Sequence, residues 1–316
     1  MILQKRFFRV ASITALSFAA WPLAAQTGTV SSRVHSLIDH FPGSVSLCAK
    51  NLDTGASYEL RAEDPVPTAS TIKLPIMIEL FAEAKEGRLD WNQKIELTDR
   101  DKVSGSGVLQ ELSEGDLLPI RDLMHLMIVV SDNTATNLIL NRIGGNAVNA
   151  RMTQLGLRET AVMHKIMQKR IFPDPTQDSR PDGLTEEGAK PGNDKWGTGR
   201  SCPHDMVAIL EKLYRDELIS KAASEEMIDV LKRQHDHAGI GRDMKDTVIA
   251  SKSGALDHLR SDVGIVYSQH GPIAIAITVN NIPEVDYGVD NPGDILISRL
   301  SEILVEELAT ASPARK

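Results

Sequence analysis

Ser70-Thr71-Ile72-Lys73 places a hydroxyl three residues before an amine, so on a helix the two side chains share a face about one turn apart. An amine held there can activate a serine nucleophile in place of histidine. The residues that follow support a helix. Ile72, Ile76 and Leu80, with Met77, Phe81 and Ala84, form one apolar face, and Gly87 closes it. Pro75 falls early in that helix, where its missing amide costs least. By itself the motif carries little, since a Ser-x-x-Lys arises about once in a chain of this length from composition alone.

Working outward, residues 45–52 and 58–62 read as strands joined by the turn Asp53-Thr54-Gly55, and residues 30–41 before them as an amphipathic helix. Downstream, residues 123–130 are apolar nearly all round, which predicts a buried helix. A second helix over 134–143 stops at Gly144-Gly145, so Ser131-Asp132-Asn133 lies at a junction between helices. Helical patterns return over 206–214 and 225–234. Residues 248–250, 263–267 and 273–279 are β-rich, with His270-Gly271 as a hairpin turn, and residues 295–308 close the chain as an amphipathic helix. Strands at both ends flank a helical middle. The expected class is α+β, with one antiparallel sheet built from both chain ends, flanking helices and an inserted all-helical subdomain. The α/β part would be 26–68 and 205–316, and the helical part 69–204. Within the latter, residues 168–200 are rich in Pro, Gly and charge without a sustained period, and are long for a loop inside a compact domain.

With a formal charge of −8 and only 4% aromatic residues, the chain lacks both the basic surface and the stacking groups of a nucleic-acid binder. Lys5, Arg6 and Arg9 precede a mostly apolar run over 10–23 that ends in Leu23-Ala24-Ala25. This is the pattern of a signal peptide over 1–25, so the protein is expected to be exported, periplasmic or secreted, with no membrane span after processing. The apolar run is short for an uncleaved anchor. Export permits a disulfide, and Cys48 and Cys202 can pair or remain free. Cys202, before Pro203 and Asp205, occupies a helix N-cap position.

The third element is Lys252-Ser253-Gly254, at a predicted strand end. Ser-x-x-Lys, Ser-Asp-Asn and Lys-Ser-Gly in this order resemble the signature of class A β-lactamases and penicillin-binding proteins. Gly105-Ser106-Gly107-Val108-Leu109, Leu155-Gly156, Pro203-His204-Asp205-Met206 and the run from Ile240 to Arg260-Ser261-Asp262 are similar to segments of the same family, so the resemblance spans about residues 30–310. It implies that Ser70 attacks a lactam or peptide carbonyl, that Lys73 takes or relays its proton, and that Ser131 passes a proton to the departing nitrogen. Asn133 would hold the substrate's amide side chain. Lys252 and Ser253 would bind its carboxylate, Gly254 would allow close backbone approach, and the amides of Ser70 and Ala255 would form the oxyanion hole. Arg260 would either assist carboxylate binding or pair with Asp262 at the surface.

One part of the family pattern is missing. Class A β-lactamases carry Glu-x-x-Leu-Asn in a loop whose glutamate orients the deacylating water, and this chain has no such motif. Glu186, Glu187 and Asp194 are the nearest substitutes by position. The expected function is therefore a serine β-lactamase acting as a monomer on a small-molecule β-lactam. The alternatives are a D-alanyl-D-alanine peptidase acting on a peptidoglycan-stem-like substrate, or a slowly deacylating penicillin sensor. No cofactor motif is present, and His235-Asp236-His237 reads as a polar turn without further ligands at metal spacing.

Overall fold

The computed structural model describes residues 23–166 and 183–310. The signal-peptide reading thus falls largely outside the described residues, as does the first half of the long loop. The chain begins α1 (Leu23–Ile38), β1 (Ser44–Asn51), β2 (Ser57–Leu60), β3 (Val66–Pro67), and then a 3-10 turn over Ala69–Ile72. It continues α2 (Lys73–Lys85), β4 (Lys94–Glu96), β5 (Leu117–Pro119), α3 (Ile120–Val129), α4 (Asn133–Ile143), α5 (Gly145–Gln154), β6 (Ala161–Val162) and β7 (Gly199–Ser201). Last come α6 (Pro203–Tyr214), α7 (Lys221–Leu231), β8 (Val248–Leu256), β9 (Leu259–Ser268), β10 (Gly271–Asn280) and α8 (Pro292–Thr310).

The main sheet is antiparallel in the order β2-β1-β10-β9-β8, so strands from both ends of the chain meet at its centre, where Ser46 pairs with Thr278. The β9–β10 hairpin turns at Gly271, whose φ of 105° suits glycine. Both faces of the sheet are covered, which is why β10 reads as a nearly continuous apolar run and why β9 is buried over eight residues even though it carries Arg260, Ser261 and Asp262. Val266, Ile273, Ile275 and Ile277 pack with Val34, Ile297, Leu300 and Leu304 beneath α1 and α8. Val263, Ile265, Ala274 and Ala276 join the larger core that contains α2, α3, α4 and α6. Cys48 belongs to that core, and Cys202 Sγ caps α6 by accepting Asp205 N at 3.4 Å. Both cysteines are buried free thiols, pushed up to about 12 by burial, which leaves neither as a ready nucleophile.

Several local expectations change. Ser70 lies in the 3-10 turn before α2 rather than inside the helix, and Ala69 in that turn has a φ of 47°. Helix α2 is buried on all sides from Lys73 to Glu83; its two acids answer arginines, with Arg151 Nε donating to Glu79 at 2.7 Å. Gly144 ends α4 at φ 81°, yet α5 starts at the next residue, so the glycine pair is a corner rather than a stop. Lys252-Ser253-Gly254 lies within β8 because each residue pairs with β9, opposite Val263, Asp262 and Ser261. Its weak β propensity hid a strand that the ladder imposes. The intervening region is helical in its bulk and also carries the short ladders β4–β5 and β6–β7.

Candidate active site

The three motifs converge on one cleft of about 860 Å³, whose walls include Ser70, Ser131, Asn133 and Lys252 through Ala255. Ser70 is half-buried and opens into it from the 3-10 turn. Strand β8 presses against this turn. A Cβ placed on Gly254 would sit 2.9 Å from both Ser70 N and Thr68 O, so only glycine lets the strand approach the serine amide this closely. That approach puts the Ser70 and Ala255 residues side by side in the cleft wall, where the resemblance places an oxyanion hole.

Lys73 lies beneath the cleft, fully buried. Its amine donates to Ser131 O at 2.6 Å and Asn133 Oδ1 at 2.9 Å, and the Ser131 hydroxyl lies 3.1 Å from it, within reach of the lone pair of a neutral amine. Among the described residues no hydrogen bond links it to Ser70 Oγ, so its direct partner is the second serine. Burial pulls its pKa well below the ordinary lysine value; the Lys252 charge lowers it further and Asp132 opposes. Ser131 holds φ at 55°, a left-handed conformation that serine adopts at a cost of about 1–3 kcal/mol. Asp132 fixes it there. Its Oδ1 caps α4 by accepting Ala135 N at 2.8 Å, and its Oδ2 accepts the amides of Val108 and Leu109 at 2.6 and 2.9 Å. Gly107 lies against that carboxylate, with room for no side chain: a Cβ would stand 2.3 Å from Asp132 Oδ2.

The opposite wall centres on Lys252, also fully buried, which donates to Ser253 O at 2.8 Å and Gln234 Oε1 at 3.3 Å. Burial lowers its pKa to about 8, while Asp236 and Asp262 hold it up. Asp262 is itself raised to about 7, mainly by burial; one oxygen accepts Ile240 N at 3.0 Å and the other is buried without a hydrogen-bond partner among the described residues. Gln234 and Asp236 were not singled out as site residues from the sequence. Gln234 Oε1 accepts Ser253 N at 2.7 Å, and Asp236 Oδ2 accepts Ser253 Oγ at 2.7 Å. Asp236 showed only as part of a polar His-Asp-His turn, and nothing short of the fold marks Gln234, 18 positions before Lys252.

Arg260 does not line the cleft and is not at the surface. It is 3% exposed, its Nε donates to Asp294 rather than Asp262, and its other nitrogens reach the carbonyls of Leu256, Leu259 and Asp286. Its guanidinium also lies 5.0 Å from the ring of Tyr287, which does line the cleft. The long-loop acids are likewise elsewhere. Glu187 is held by Lys190 and Asn193 with Arg200 close by, and neither it, Glu186 nor Asp194 is among the cleft residues. The cleft wall leading into that loop is Ile166, whose backbone N and O are both gripped by the Asn137 carboxamide, at 2.8 and 3.0 Å.

The profile of the family described as the beta-lactamase enzyme family matches residues 29–308. The chain belongs to this family. Membership makes it a hydrolase of the β-lactamase type. Beta-lactamase VEB-1 of Pseudomonas aeruginosa is 20% identical over 264 residues, covering 79% of this chain and 81% of its own. Beta-lactamase PSE-4 of the same organism is 30% identical over 126 residues, covering 39% and 41%. Among solved structures, a beta-lactamase from Sphaerobacter thermophilus superposes with a TM-score of 0.74 at 24% identity, covering 90% of this chain and 99% of that one. PBP-A does so with 0.74 at 24% identity, covering 90% and 97%. These structural likenesses establish the β-lactamase fold.

Proposed function

We propose that the protein is an exported serine hydrolase that opens β-lactams by acylating Ser70 and then releases the acyl group slowly. The observation that carries the first half is the buried Lys73 amine, placed between Ser131 and Asn133 with its pKa depressed. An unprotonated amine keeps a lone pair and can take a proton at neutral pH. Ser70 Oγ attacks the lactam carbonyl, its proton goes to Lys73, and the ring C–N bond breaks. The proton then reaches the departing nitrogen through the Ser131 hydroxyl, 3.1 Å from the amine. The amides of Ser70 and Ala255 would hold the oxyanion, a contribution of about 3–4 kcal/mol per donor in comparable sites. Hydrolysis of the resulting ester needs an activated water. Among the described residues, Ile166 offers that water no proton acceptor, and the acids Glu186, Glu187 and Asp194 do not line the cleft. This supports slow release. The second reading is a peptidase acting on D-alanyl-D-alanine ends, because the three motifs that meet in the cleft serve that reaction equally.

The test mixes purified protein with a chromogenic cephalosporin and follows colour and intact mass together. The expected outcome is one adduct per chain on Ser70, formed quickly, with slow continuing colour release, and no adduct in Ser70→Ala. Rapid turnover without a detectable adduct would overturn slow release, and absence of both would overturn the acyl-serine mechanism. Faster release of D-alanine from a D-alanyl-D-alanine peptide than of hydrolysed lactam would select the peptidase.

A further inference from the structure

A β-lactam seated as proposed above lies along β8 in a fixed direction, with its carboxylate at Lys252 and Ser253 and its reacting carbonyl at the amides of Ser70 and Ala255. The arm on the acyl side of that carbonyl therefore continues toward the end of the strand at Leu256 and the turn at Asp257. There the cleft wall is completed by Tyr287, from the loop over 281–291 between β10 and α8. Among the described residues that line the cleft, Tyr287 is the only Phe, Tyr or Trp. The helical wall contributes Gly105 and Ser106 beside Asn133 instead.

The ring is held before any ligand arrives. The buried Arg260 guanidinium covers one face, 5.0 Å from the ring centroid, and the hydroxyl donates to Asp257 Oδ1 at 2.8 Å. The loop is tied down as well: Asp286 O accepts both Arg260 and Asn291 Nδ2, and Arg242 reaches Val289 O and Asp290. Tyr287 is nonetheless 63% exposed, so its open surface is the other face and the edge, in the wall of the cleft. A large apolar surface fixed in this way loses little conformational freedom when a ligand covers it. A flat aromatic group gains from such a face beyond the area buried, whereas a saturated ring of similar size gains the area alone. We propose that Tyr287 forms, with Leu256, a subsite that selects substrates whose acyl-side arm ends in a flat aromatic group. The inference rests on the proposed seating of the β-lactam and names the class of side chain that the cleft prefers.

The test uses Ser70→Ala protein, which binds without reacting, titrated by calorimetry with benzylpenicillin and with its cyclohexylmethyl analogue, in which a saturated ring replaces the phenyl group. Benzylpenicillin should bind about three- to tenfold more tightly, the size expected for one aromatic pair. Adding Tyr287→Leu, which keeps apolar bulk and removes the ring, should bring that ratio to about one. Tyr287→Phe should keep the ratio, and Tyr287→Trp should widen it. No preference in the parent, a ratio unchanged by Tyr287→Leu, or no binding of either ligand would overturn the proposal. Loss of the preference in Tyr287→Phe would assign it to the Asp257 hydrogen bond and overturn the proposal equally. The reaction at Ser70 is read separately, from adduct formation in the unaltered protein. An adduct without the preference removes the role of Tyr287 alone, whereas the preference without an adduct removes the acyl-serine mechanism alone.

Discussion

Two lysines serve the cleft, Lys73 from beneath it and Lys252 from its sheet wall, both with no exposed surface and both destabilised as cations by burial. Their neighbours separate them. On the helical wall, Lys73 has neutral oxygen partners, one opposing carboxylate in Asp132 and the charge of Lys252 against it, so its pKa falls well below the usual value. On the sheet wall, Lys252 has Asp236 and Asp262 to hold it near 8. The same side chain at the same burial is thus pushed further toward the neutral amine on the helical wall than on the sheet wall. Desolvation sets the scale of the shift, and the nearby carboxylates decide how much remains.

Replacing Lys73 with alanine would break this comparison most severely. Acylation should slow by about three orders of magnitude, the usual range for loss of a general base. The check is the rate of adduct formation by intact mass, and a loss under tenfold would mean that another group takes the Ser70 proton. A smaller effect belongs to Lys252 and is read from pH. Its folded pKa of about 8 means the cation is present below that pH and disappears above it. Acylation by the unaltered protein should therefore decline above about pH 8, while on the acid side it should fall as Lys73 becomes protonated. In Lys252→Met the alkaline decline should be absent and the rate lower by about 10–100-fold, as expected for one lost charge contact. An alkaline decline that persists in the variant would remove Lys252 as its origin.

The third change sharpens the contrast instead of breaking it. Burial raises Asp262 from the ordinary carboxylate range to about 7. Its folded-state pKa lies above the unfolded one, so the stability linked to its proton is fully present below about pH 4. That stability is lost as pH rises through about 7. Asp262→Asn should accordingly change the melting transition little at pH 4 and stabilise the fold at pH 8, by on the order of 1–3 kcal/mol. With one acid gone, the alkaline limb of acylation should also move below pH 8, making Lys252 resemble Lys73. Destabilisation at pH 8 would show that the Asp262 charge contributes more to the fold than its burial costs.

The legible part of the site was the part written in contiguous residues. Ser70 with Lys73, Ser131 with Asn133, and Lys252 through Ala255 each form a short run on one local element, so their spacing already carried the geometry. Asp132 lay inside such a run, yet its cap on α4 and its grip on the Val108 and Leu109 amides depend on a loop more than 20 residues upstream. Gln234 and Ile166 carry no local pattern, Asp236 sits in a His-Asp-His run that reads only as a polar turn, and Arg260 had the correct neighbourhood but the wrong direction, because Asp294 on α8 claims it. The same distinction holds for the fold. Helices α1, α3, α6 and α8 and the β9–β10 hairpin announced themselves by period and turn residues. The length of β8 did not, since its Lys-Ser-Gly-Ala stretch is a strand only when β9 is beside it.

The sequence alone determined the α+β order of elements and the nucleophile's local partners, because helical spacing, turn glycines and three contiguous motifs are short-range facts. Tertiary structure decided the partner of the Lys73 amine, the charge states of the two lysines, the placement of Ile166 in the wall and the coupling of Ser253 to Asp236. Those are properties of burial and of contacts between distant segments, and the dielectric and neighbouring charge that govern a buried amine exist only once the chain has closed around it.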